Sequence, residues 1–178
     1  MSVGQLSNHI FALRGFATII VKGPDGKIKR METVPNLIRN AGLNWIASTW
    51  GGGAAGSAVR YMGICGTIDQ AGAITGPAAA DASCSSEPLW FTQTSENGTM
   101  GRMTASYAHV ADAQNWTMST SWSGGNSSAS GYIYYVFLAA CQSAGGIPEI
   151  AAASFAVVSK ASQDCLTVAW TFCISNSV

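Results

Sequence analysis

The chain is 178 residues long, 48% apolar, and carries nine basic against nine acidic side chains for a formal charge of zero. Ionic side chains make up 10% of it, against roughly a quarter in an ordinary soluble domain; covering charge is costly and covering Ser, Thr, Gly or Ala is cheap, so the composition speaks against a freely solvated monomer and for an assembly component. No run approaches the roughly 18 uncharged apolar residues of a bilayer span, and Met1 to Arg14 lack a basic segment followed by an apolar one, so neither a membrane span nor secretion is expected.

Residues 1–15 read as an N-terminal arm. Phe16 to Val21 is apolar and β-branched, Gly23-Pro24-Asp25-Gly26 has turn chemistry, and Lys27 to Val34 alternates again, which together predict a hairpin. This end of the chain is basic: Arg14, Lys22, Lys27, Lys29, Arg30 and Arg39 stand against Asp25 and Glu32 alone, while the rest of the chain carries the matching acidic surplus. Charge divided in this way steers a partner of opposite sign or a neighbouring copy; the bland reading is a solvated hairpin tip. With only Phe11 and Phe16 nearby as stacking groups, nucleic acid is not an expected partner. After Pro35 the period changes: Leu43, Ile46, Ala47 and Trp50 fall at helical spacing, so one short helix is predicted near residues 40–50, ending at Gly51-Gly52-Gly53.

Val59 to Cys65 reads as a strand covered on both sides. Residues 66–86 collapse into Gly, Ala, Ser and Asp and are predicted to be a long loop, the preferred place for contact with a neighbour, with Asp69 and Asp81 its acidic groups. Strands resume at Pro88 to Thr94, Arg102 to Val110 and Asn115 to Ser123. In the last of these Trp116, Met118, Thr120 and Trp122 face one way, opposite Thr117, Ser119 and Ser121. Tyr132 to Leu138 reads as a central strand, and Ala153 to Ser159 and Cys165 to Ile174 as a closing pair. About eight short strands with one early helix predict a single mainly β domain over residues 1–178, an antiparallel β-sandwich or barrel of jelly-roll-like type. Trp45, Trp116, Trp122, Tyr134, Trp170 and Phe172 are its expected core.

The five cysteines, Cys65, Cys84, Cys141, Cys165 and Cys173, lack the spacing of a zinc site, and no metal or other cofactor is expected. Cys165 and Cys173 share a strand face but lie too far apart to pair with each other. Buried or free thiols are the simple reading; bridges to Cys141 or to another copy stay open. Catalytic chemistry finds no foothold. His109 with Asp112 is half of a hydrolytic dyad without a nucleophile elbow, the carboxylates are scattered, and the glycine triplet follows a helix instead of joining a strand to one. No catalytic residue and no small-molecule substrate are therefore expected.

The run Val34-Pro35-Asn36-Leu37-Ile38-Arg39-Asn40-Ala41-Gly42, followed by Val59-Arg60-Tyr61-Met62-Gly63-Ile64-Cys65-Gly66-Thr67, resembles a recurrent pattern in small virion proteins of tailed bacteriophages. In that pattern an Asn-Leu-Ile-x-Asn-x-Gly helix start precedes a strand with a Tyr-x-Gly-x-Gly-Thr-like ending. The later order is similar as well: Glu87 and Arg102 flank a polar strand, a Trp strand follows, and the chain closes on Asp164-x-Leu-x-Val-x-Trp-x-Phe-x-Ile. Cys65 replaces the small Gly of the pattern, and residues 66–86 expand a short loop. The resemblance covers residues 16 to 175. It implies a non-enzymatic piece of the virion: a capsid decoration or cement protein, a homotrimer bridging major capsid subunits, with a tail, baseplate or fibre component, host-recognising or not, as the alternative.

Overall fold

The computed structural model describes residues 10–51, 58–67, 102–123, 131–140 and 149–177, with backbone alone for 10–12, 41, 50, 65–67, 176 and 177. The elements in chain order are β1 (Ile10–Lys22), β2 (Ile28–Pro35), β3 (Leu37–Ile38), α1 (Asn40–Trp50), β4 (Tyr61–Thr67), β5 (Met103–Thr104), β6 (Ser106–His109), β7 (Asn115–Trp122), β8 (Gly131–Ala139), β9 (Glu149–Lys160) and β10 (Cys165–Ser177). The predicted loop tail at 68–86 and the strand at Pro88 to Thr94 lie outside the described residues. No helix among the described residues is long and apolar enough to cross a membrane.

Period-two alternation decides how each strand of the first sheet faces. Ala17, Ile19 and Val21 of β1, Met118 and Trp122 of β7, and Leu166, Val168, Trp170 and Phe172 of β10 are all buried on one side. The register pairs them row by row, Val21 with Leu166 and Leu166 with Trp122. The resulting strand order is β2-β1-β10-β7-β6, and the second sheet runs β3-β9-β8-β4-β5, every pair antiparallel. Among the described residues the fold is thus mainly β, a sandwich of two five-stranded sheets with one short helix. These strands do not close into a barrel: each sheet ends in its own edge strands.

Two expectations change. Residues 10–15, read as an arm, belong to β1 and pair with β10 from Ile10 opposite Ser177 to Gly15 opposite Phe172. The strand predicted over Arg102 to Val110 is broken at Ala105, so that β5 joins the second sheet and β6 the first. Ala105 is buried at this crossing, and its N–H donates to Arg60 O at 2.7 Å. The chain also changes sheets between β2 and β3, at Asn36, whose N–H donates to Gly15 O at 3.0 Å.

Helix α1 begins where the helical spacing placed it. Its start is fixed by burial: the Arg39 N–H donates to Ile150 O at 3.1 Å, and a Cβ on Gly42 would fall 2.1 Å from that same oxygen. Only glycine lets the helix approach β9 so closely. Arg39 is itself 1% exposed, its guanidinium 2.6 Å from the fully buried Glu149 carboxylate. The Tyr135 hydroxyl lies between them, accepting from Arg39 and donating to Glu149. Burial, reinforced by the Glu149 charge, holds the Tyr135 hydroxyl far above the usual phenol range, so it stays a donor. Of the expected core residues, Trp122, Tyr134, Trp170 and Phe172 are buried, Trp116 packs partly buried against them, and Trp45 is only half-buried.

Candidate interaction surface

The strands that bury Val, Leu and Trp on one side of the first sheet must present their other residues on the far side. Across β2, β1, β10, β7 and β6 these form rows: Pro35, Phe16, Thr171, Thr117, Ala108; then Thr33, Thr18, Ala169, Ser119, Ser106; then Met31, Ile20, Thr167, Ser121. None of them is ionic. Phe16 is 47% and Met31 60% exposed. Cross-strand hydroxyls bond one another, Thr18 to Thr33 and Ser121 to Thr167 at 2.9 Å and Thr117 to Thr171 at 3.4 Å. A hydroxyl that already holds a neighbour loses less when water is removed, so this face is cheap to cover.

Arg14 and Lys22 bound the rows at either end of β1, and both are exposed. Among the described residues no carboxylate pairs with either. The other basic candidates are already engaged. Lys27 lies 3.4 Å from Asp25 across the exposed hairpin turn. The Lys29 ammonium donates to both oxygens of Asp164, at 2.7 and 3.0 Å. Arg30 pairs with Glu32 at 2.5 Å, and both stand in register with Val21 and Ile19, on the core-facing side of edge strand β2. Charges turned inward on an edge strand discourage edge-to-edge addition of another chain. The basic hairpin is therefore largely neutralised within the molecule. Asp69 and Asp81 lie outside the described residues.

Asp164 anchors the turn between β9 and β10. It also accepts the Ala161 N–H at 3.0 Å, and its own N–H donates to Ala161 O at 3.0 Å. Burial works to raise its pKa, but the hydrogen bonds from Lys29 and Ala161 and the charges of Lys29 and Lys160 win, holding the carboxyl below its ordinary range. Lys160, 1% exposed, is shifted down by burial against the opposing pull of Asp164.

Cys165 and Cys173 are free and half-buried on the uncharged face, in register with Lys22 and Arg14. Cys84, Cys141 and the Cys65 side chain lie outside the described residues. The His109 ring gives its Nε2 proton to Ala113 O at 3.0 Å and stacks on Tyr107 with 6.5 Å between centroids, which makes it a brace for the β6–β7 turn. Among the described residues no three His, Cys, Asp or Glu side chains gather as a metal would require. What sequence reading missed is the continuity of the hydroxyl face across β1 and β2. The polar side of β7 signalled it, but its extension depends on strand order. Compared with known proteins, the chain matches no family model, no curated protein and no solved structure.

Proposed function

We propose that this chain is a non-enzymatic virion structural protein, a capsid decoration or cement protein of a tailed phage that docks through the uncharged face of its first sheet. The observation that carries the reading is the set of three ion-free rows bounded by Arg14 and Lys22. Five strands at about 4.8 Å and the seven residues between Arg14 and Lys22 at about 3.3 Å give a plane of roughly 24 by 23 Å. That falls short of the roughly 800 Å² each partner gives to a standard interface. One such contact is weak, and a regular shell supplies the repetition that makes many of them hold. A second copy stacked face to face with its strands reversed is disfavoured, because β1 would lie on β1 and Arg14 would meet Lys22. An acidic, otherwise uncharged surface on the major capsid protein fits. The homotrimer of this reading is the symmetric association expected of such a part.

A tail or fibre role is the second reading, favoured by Tyr107, 65% exposed, and Val110, 74% exposed, beside the β6–β7 turn. Purified particles resolved on a stained gel separate the two. Decoration gives a copy number comparable to the shell protein, a tail component only a few copies per particle, and absence from particles ends both. Ala169→Glu, in the middle row, is expected to abolish particle binding with the melting transition intact; unchanged binding would refute docking through this face.

A further inference from the structure

Between the two sheets, on the opposite side of the first sheet from the docking face, lies a cavity of about 670 Å³. Leu13, Trp116 and Phe172 line it from the first sheet, Leu138 from the second, and Trp45 and Ile46 from α1. Its walls are almost wholly apolar and aromatic, with Trp116 stacked on Phe172 at 5.2 Å between centroids. A void of this size is within the range of small-molecule sites, about 300–1,000 Å³. Among the polar side chains of the lining, Thr104 and Tyr107 carry hydroxyls that can donate or accept, whereas Arg60 and Trp45 can only donate. Arg60 is exposed at its edge, and among the described residues no carboxylate pairs with it. The indole nitrogen of Trp45 is buried and meets no acceptor among the described residues. A buried donor left unpaired is costly, and an unpaired guanidinium at the edge of an apolar cavity attracts an anion.

The complement of such a site is a molecule with an apolar body and one negative, acceptor-rich end. The geometry points to a binding site for a medium-chain monocarboxylate, its chain between the sheets and its carboxylate on Arg60. Occupation leaves the docking face untouched, so the site and the assembly role stand or fall separately.

The test uses the full chain titrated calorimetrically with decanoate and with decanol, its uncharged counterpart. Decanoate is expected to bind saturably at one site per chain, with a dissociation constant of about 10–100 µM, and to shift the indole N–H resonance that Trp45→Phe removes. Arg60→Ala weakens decanoate about tenfold and leaves decanol unchanged. Ile46→Trp fills the cavity and abolishes both, and Val59→Phe is read beside it should the first variant fail to fold. Absence of saturable binding, equal weakening of both probes by Arg60→Ala, or binding that survives a folded cavity-filling variant would each overturn the assignment.

Discussion

The two sheets of the sandwich treat charge in opposite ways. The outward rows of the first sheet hold no ionic group and are open to solvent. In the second, β8 is buried on both sides from Ile133 to Ala139, and Arg39 and Glu149 are closed in around Tyr135. Arg102, 7% exposed, lies over the Phe137 ring at 5.0 Å. Lys160 and Asp164 are buried as well. A chain already poor in charge therefore places much of it inside, which leaves the exterior poorer still. Scarcity alone would not produce a face of that kind; the partition does.

Breaking the buried trio is the largest expected effect. Arg39→Ala strands the Glu149 carboxylate in the interior and should cost about 3–5 kcal/mol, read as a lowered denaturation midpoint at unchanged slope. A wild-type midpoint would mean that the trio is solvated. Gly63→Ala tests the packing behind it, because a methyl there would fall 2.1 Å from the Phe137 ring. We expect a loss of about 1–3 kcal/mol and, with the ring displaced, a weaker hold on Arg102.

Asp164→Asn sharpens the comparison by pH. The carboxyl of Asp164 is held below its ordinary range in the fold, so its contribution is complete above pH ~4 and fades as pH falls through its folded pKa. The variant should be about 1–3 kcal/mol less stable at pH 7, and its melting temperature should converge on that of the native chain in acid. Convergence at high pH instead would reverse the assignment. The smallest effect belongs to the surface: Lys27→Ala, removing the exposed pair with Asp25, should stay within about 0.5 kcal/mol.

Most of the strands were legible because alternation in β7 and β10 is unbroken and the hairpin turn declares itself in Gly23-Pro24-Asp25-Gly26. The helix start was legible from its spacing. The break at Ala105 was not, since a small residue marks a change of sheet with no chemical sign. Nor was the neutralised hairpin: Lys29 finds Asp164 from 135 residues away, and Arg39 finds Tyr135 across 96. Sequence reading also placed Trp45 in the core, although it stands outside the helical stripe of Leu43, Ile46, Ala47 and Trp50. It lines the cavity instead, because α1 rests on β9 through Gly42 and leaves the space between the sheets incompletely filled. The uncharged face itself needed the strand order, which joins β1 to β10 across most of the sequence.

That last strand, β10, sits between β1 and β7 at the middle of the first sheet. The β1–β2 and β6–β7 hairpins can form from local contacts, but each keeps an open flank until β10 pairs between them. The uncharged plane becomes continuous only with that long-range pairing, which makes it the slow, cooperative part of the sheet to assemble.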